Sequence, residues 1–428
     1  MIPSAMTTGG WGAWRGRVGC SSWRQGRPAL LGLLLLAARL AGAQADEAEP
    51  PRPAEPVLVW GFEASGTYGS SDPGYFNDFD YGHEYGWNGY RLGVLAGQVQ
   101  IRFAPRTALL AEVRSANLEA PWVHALFVRS RPFARVPLDV QLGRMPSVFG
   151  AYPRRRYMAD NPLIGQPLVY QYLTSLRPDA MPASADGFRA MRGAGWRPFY
   201  VVGSRETRTG LPMANAFLRD TGIGLRIGDG PVELALALTQ GSLGSPRVSD
   251  DNSGKQLVGR LRWRPSFGLV LGASAAHGEY LDAALEPALP EAARAASYSQ
   301  TALGLDVEYG MGRWLWRAEA VFSRWDVPAI SAPVPESPLR TWAAFAEVRC
   351  RLGPGLYAAG RADHVSFAEI TGRDGPFTWD APIDRMEVAL GFAPWRRVLV
   401  KAAYQYNWRD GGRVHEKGLV GAQVSVWY

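Results

Sequence analysis

From Leu58 onward, apolar side chains recur at every second position in segment after segment. Examples are Leu58, Trp60, Phe62 and Ala64; Val136, Leu138, Val140 and Leu142; Trp314, Trp316, Ala318, Ala320 and Phe322; and Val398, Val400, Ala402, Tyr404, Tyr406 and Trp408. A period of two puts successive side chains on opposite faces of an extended chain. It specifies strands with one apolar face and excludes helices, whose period is about 3.6. Counted by pattern there are about sixteen strands, centred near residues 62, 96, 112, 126, 140, 222, 236, 260, 273, 304, 319, 346, 361, 388, 403 and 423. The fold class is therefore all-β. The abundance of Gly (49) and of Trp, Tyr and Phe (16, 17 and 16) agrees, because these residues favour turns and strands over helix interiors.

The strands are joined in two ways. Tight connections such as Gly228-Asp229-Gly230, Arg264-Pro265-Ser266, Gly310-Met311-Gly312, Gly353-Pro354-Gly355 and Pro394-Trp395-Arg396 alternate with long ones near 69–88, 241–255, 281–298, 326–340, 368–382 and 410–416. Short turns at one end and long loops at the other are the pattern of a transmembrane antiparallel β-barrel of an outer membrane. There the apolar alternate faces lipid, since a charge near the bilayer midplane costs roughly 2–4 kcal/mol. The polar alternate then lines the lumen: Arg114, Arg226, Glu233, Arg260, Arg262, Asp306, Arg317, Glu319, Glu347, Arg349, Arg361, Asp363, Arg385 and Lys401, together with Glu112, Glu308 and Glu387. So charged an interior predicts a hydrated lumen. Opposite charges two residues apart, such as Arg317 with Glu319 and Arg361 with Asp363, also fit a ladder that neutralises itself. Trp60, Trp263, Trp314, Trp342, Trp395 and Trp408, near strand ends, suit interfacial girdles.

Residues 1–45 read as an export signal: an Arg-bearing segment, the apolar run Ala29 to Ala38, and small residues that predict cleavage after Ala43 or Ala45. The run is about half the roughly 20 residues that span a bilayer as a helix. Residues 46–56 (DEAEPPRPAEP) form a Pro-rich periplasmic lead-in, and 57–428 the barrel. The formal charge of +7 includes Arg15, Arg17, Arg24, Arg27 and Arg39 of the signal; without those five it falls to +2, which removes the case for a nucleic-acid partner. Cys20 leaves with the signal, so Cys350 alone remains and neither an intramolecular disulfide nor a Cys metal cluster is expected.

One connection is far longer than the others. Residues 145–215, between the fifth and sixth strands, are too long a structureless stretch for a compact fold unless functional. The segment Leu142-Gly143-Arg144-Met145-Pro146-Ser147-Val148-Phe149-Gly150, and the position of this third long connection, resemble porins of the phosphate-selective or general anion type. The resemblance implies sixteen strands and a loop folded inward as a constriction. It implies passive diffusion of small hydrophilic solutes, a homotrimer, and an environment of outer-membrane lipid, lipopolysaccharide and the barrel-assembly machinery. The loop holds Arg154, Arg155, Arg156 and Arg177, which would make the constriction positive and favour anions, with Arg260, Arg262, Arg317 and Lys401 continuing the path. Phosphate-selective members carry many pore lysines, whereas this chain has Lys only at 255, 401 and 417; arginine can hold phosphate in a bidentate way. An extra hairpin from Leu168-Val169-Tyr170-Gln171-Tyr172 and Phe199-Tyr200-Val201-Val202 would give eighteen strands instead.

Outer-membrane barrels resemble one another in ending on an aromatic residue with apolar alternates before it, and here Ala422, Val424, Val426 and Tyr428 match that assembly signal. Chemistry-bearing patterns are poor. Gly272-Ala273-Ser274-Ala275-Ala276 lacks the second glycine of a nucleophile elbow, Asp250 to Lys255 lacks the glycine spacing of a phosphate loop, and His83, His124, His277, His364 and His415 show no ligand spacing. No catalytic residue, metal or cofactor is expected. Asp72, Asp78, Asp80 and Glu84 read as a solvated loop more readily than as a cation site. Two rival readings stay open: a non-conducting structural or adhesive barrel plugged by its long loop, and an outer-membrane hydrolase using a Ser with His277 or His364.

Overall fold

The alternation builds a wall in which the usual sidedness of burial is reversed. The computed structural model describes residues 57–69, 90–195, 198–249, 254–294, 296–409 and 418–428, with backbone alone for 90–92. The export signal, the lead-in, most of the first external loop and all of the last one lie outside these residues. Sixteen strands form the wall: β1 (Leu58–Gly69), β2 (Tyr90–Ala104), β3 (Thr107–Ala116), β4 (Trp122–Ser130), β5 (Leu138–Met145), β6 (Asp220–Ile227), β7 (Val232–Thr239) and β8 (Gln256–Ser266). Then follow β9 (Leu269–Glu279), β10 (Ser299–Met311), β11 (Trp314–Trp325), β12 (Leu339–Gly353), β13 (Leu356–Phe367), β14 (Ile383–Trp395), β15 (Val398–Arg409) and β16 (Gly418–Trp427). Each pairs antiparallel with the next, and β16 returns to β1 with Glu63 opposite Trp427 and Gly69 opposite Gly421, closing the barrel. Every strand centre read from the sequence falls inside one of these strands.

In β14, Arg385 and Glu387 are 1% and 0% exposed, while Met386, Val388 and Leu390 on the opposite alternate are about half exposed. A closed barrel satisfies its backbone internally, and its apolar outer face is solvated by lipid rather than by a protein core. The chain is thus a transmembrane barrel of the outer membrane of a Gram-negative-type bacterium. Its tight turns mark the periplasmic end and its long loops the external end.

The chain between β5 and β6 leaves the wall after Met145, two residues beyond Gly143 (φ +127), and enters the barrel. Its Leu168, Val169, Tyr170 and Tyr172 are fully buried. The eighteen-strand alternative fails here. Leu168–Gln171 is a single helical turn after Pro167, and Val202–Gly203 pairs only with Ala180–Met181, apart from the wall. A segment enclosed on all sides has no lipid face for alternation to serve. Externally, Trp325, Trp379, Phe367, Tyr172 and Phe188 join the inserted loop to the loops after β11 and β13 in one apolar cluster.

Candidate functional site: the lumen and its inserted loop

Across β13 to β16 and β1, wall charges meet loop backbone. The turn Asn161-Pro162-Leu163-Ile164-Gly165 lies on this side. Glu387 accepts the N–H groups of Ile164 (3.0 Å) and Gly165 (2.8 Å) on one oxygen and Arg361 Nη2 (2.9 Å) on the other. Lys401 Nζ donates to the carbonyls of Met158 (2.8 Å), Asn161 (2.9 Å) and Leu163 (3.0 Å). Asp363 takes the Leu168 N–H at 3.0 Å, Glu63 that of Met158 at 2.9 Å, and Tyr357 Oη donates to the Pro162 carbonyl. Arg385 bonds Asn407 and Gln171, and Leu163 and Ile164 pack on Tyr357, Ala359, Ala389 and Leu399. The expected hydrated lumen is therefore a packed polar interface along this wall. A Cβ on Gly165 would lie 2.4 Å from Glu387 Oε2, so only glycine lets the backbone come this close.

A second anchor stands on β11. Glu319 accepts the N–H groups of Ala151 (3.2 Å) and Tyr152 (3.3 Å) and the Tyr170 hydroxyl, while Gly150 donates to Ser274 Oγ at 3.1 Å. The Gly150 backbone has φ +71, and a Cβ there would meet Tyr170 Oη at 2.1 Å.

The three consecutive arginines fan out to three strands. Arg154 lies 3.4 Å from Glu233 on β7, Arg155 3.8 Å from Glu347 on β12, and Arg156 3.3 Å from Glu112 on β3. Arg156 also sits 2.6 Å from His124 Nε2 and donates to the Phe217 carbonyl, and Arg114 holds Glu112 at 2.7 Å. Burial, with Arg226 and Arg260 beside it, pushes the Arg154 guanidinium down to about 9; burial with Arg114 and Arg219 does the same to Arg156, also about 9. Both stay charged at neutral pH. Arg177 is apart from this fan. It is fully buried within the loop, bonded to Asp179 (2.8 Å) and to the carbonyls of Pro198 and Glu206.

On β6 to β12 a subset of the charges, Arg226, Arg262 and Arg349 among them, keeps water. Glu233 is shared by Arg154, Arg226 (4.0 Å) and Arg262, an excess of positive charge around one carboxylate. Arg317 bridges Glu308 (2.7 Å) and Glu347 (3.2 Å), and the exposed Arg349 lies 5.7 Å from the Tyr357 ring. Side chains of Arg226 and Arg262 are 31% and 22% exposed, whereas Arg361 and Glu387 opposite are sealed. Arg260 is paired with Asp306 at 2.7 Å and is buried.

Sequence reasoning missed Glu63, Ser274 and Asp380 as anchors. Glu63 was visible as the one charge on the polar alternate of β1; Asp380, which accepts the Ser175 and Gly193 N–H groups in an external loop, carries no such signal. His277 and His364 face outward on separate strands, bonded to Thr301 and Asp384 respectively. Ala422, Val424 and Val426 face lipid, and Tyr428 stacks on Trp60 at 4.8 Å.

No family model matches this sequence, and no curated protein sequence does. Solved structures do match. The outer membrane channel DcaP of Acinetobacter baumannii superimposes with a TM-score of 0.54 at 9% identity, over 87% of this chain and 97% of that one. A loop L8 deletion mutant of OmpT, an outer membrane protein of Vibrio cholerae, gives 0.53 at 9% identity, over 87% and 99%. At such identity the likeness shows the fold alone: this chain has a closed sixteen-stranded barrel fold like that of these outer membrane proteins.

Proposed function

We propose that the barrel is an outer-membrane channel for passive diffusion of small hydrophilic solutes, with a preference for anions. The observation that carries this reading is the partly solvated row Arg154, Arg226, Arg262, Arg317 and Arg349, which faces the lumen where the inserted loop leaves the wall uncovered. Water-exposed guanidiniums around few carboxylates attract anions and are screened less inside a narrow lumen than outside it. Arg155, Arg156 and Arg177 take a different part in the proposal: their partners fix the loop that sets the width of the path. Assembly as a homotrimer belongs to the same reading and is tested by the mass of the unheated, detergent-solubilised protein.

The sealing of Arg361, Arg385, Glu387 and Lys401 favours one rival, a barrel whose loop is a plug. Single-channel recording in a planar bilayer under a salt gradient separates the two. Stable steps whose reversal lies on the anion side support the channel. Insertion without steps leaves the plugged barrel.

A further inference from the structure

The lipid-facing surface carries two arginines where apolar side chains are the rule. Arg324, near the external end of β11, and Arg340, at the start of β12, lie directly opposite each other in register. Both are exposed and point outward, flanked by the buried Ser323, Trp325, Leu339 and Thr341. Among the described residues neither guanidinium has a partner. Like charges directly opposite on adjacent strands repel, so this placement calls for an anion from outside the chain.

Depth and surroundings say which anion. From Trp314 to Arg324 the strand climbs ten residues, roughly 26 Å at about 3.4 Å per residue and a tilt near 40°. The apolar band of such barrels is about 25 Å tall, which sets the arginines at its outer boundary. Two residues inward of each stand Phe322 and Trp342, stacked at 6.4 Å, side chains suited to the headgroup level. Below them a groove of about 590 Å³ is floored by Ala318, Ala320, Ala344, Ala346 and Ala362 and edged by Leu305, Val307, His364 and Asp384. Trp342 joins the two levels, its ring 4.6 Å from that of His364, which lines the groove and is bonded to Asp384 at 2.7 Å.

We propose that this face binds a phosphorylated glycolipid of the outer leaflet, its phosphate held by Arg324 and Arg340 and an acyl chain lying in the alanine groove. A guanidinium pair matches phosphate oxygens in fork geometry, and the groove gives the chain a fixed apolar seat. The inference rests on membrane placement and not on conductance, so a silent barrel would leave it standing.

The test uses full-length protein, delipidated in detergent and titrated with bisphosphorylated lipid A, with dephosphorylated lipid A and with inorganic phosphate. Binding is read by native mass spectrometry and by the rise in melting temperature. The wild type should bind bisphosphorylated lipid A, and the R324Q/R340Q variant should bind it about tenfold or more weakly. R313Q, an exposed arginine of a periplasmic turn, should match the wild type. Heat-modifiable mobility verifies that each variant keeps its barrel. Equal binding of dephosphorylated lipid A, competition by inorganic phosphate at the same concentration as lipid A, or unchanged binding by R324Q/R340Q overturns the proposal. So does crosslinking of two copies through A346C in the membrane, which would make the groove a subunit contact.

Discussion

The two sides of the lumen are built from the same residue types and meet opposite fates. On β13 to β16, Arg361, Glu387 and Lys401 are sealed under the Asn161–Gly165 turn; Glu387 and Lys401 bond loop backbone, and Arg361 bonds the far oxygen of Glu387. On β6 to β12, Arg226, Arg262 and Arg349 keep solvent and compete for few carboxylates. A lumenal charge is therefore not a pore charge by virtue of its strand position alone. What decides is whether a backbone segment arrives to satisfy it.

The largest effect should come from breaking the sealed side. Lys401→Met with Glu387→Gln leaves three loop carbonyls without their donor and two N–H groups with a weaker acceptor. At about 1–3 kcal/mol for each buried group left unsatisfied, the loop should detach, with conductance rising severalfold and ion preference little changed in the same bilayer recording. Neutralising the open side tests the converse. Replacing Arg226, Arg262 and Arg349 by Gln should move the reversal potential clearly toward cations while melting temperature changes little.

Smaller changes sharpen the contrast. Gly165→Ala puts a Cβ 2.4 Å from Glu387 Oε2 and should destabilise by about 1–3 kcal/mol. Gly353→Ala, with nothing within 4 Å of the added atom, should be close to neutral, and thermal melts compare the two. Arg154→Gln alone should give the smallest shift, a fraction of the triple variant's change in reversal potential, because Arg226 and Arg262 remain beside Glu233.

The wall was legible because its signal is local. Alternation at a period of two reports which side chains face lipid, and the lipid face is demanded along every strand, so centres such as 140 and 388 could be read from a handful of residues. The lumen was legible only as a set of charges. Whether Glu319 or Glu387 faces water depends on N–H groups of residues 151 and 165, and peptide groups look alike in every sequence. Gly150 and Gly165 are the exception, since close approach of the backbone requires them. The spread of Arg154, Arg155 and Arg156 to three strands was hidden for the same reason: adjacent letters gave no hint of partners on β7, β12 and β3.

The anchors of the Asn161–Gly165 turn also set an order of events. Ile164 and Gly165 find their acceptor 223 and 222 residues later, and the carbonyls of Met158, Asn161 and Leu163 find their donor 243, 240 and 238 residues later. Contacts so distant along the chain must await closure of an equally long stretch. The turn is synthesised early, and these anchors wait for β14 and β15, so this side of the interior is furnished last, when the wall that surrounds it is nearly shut.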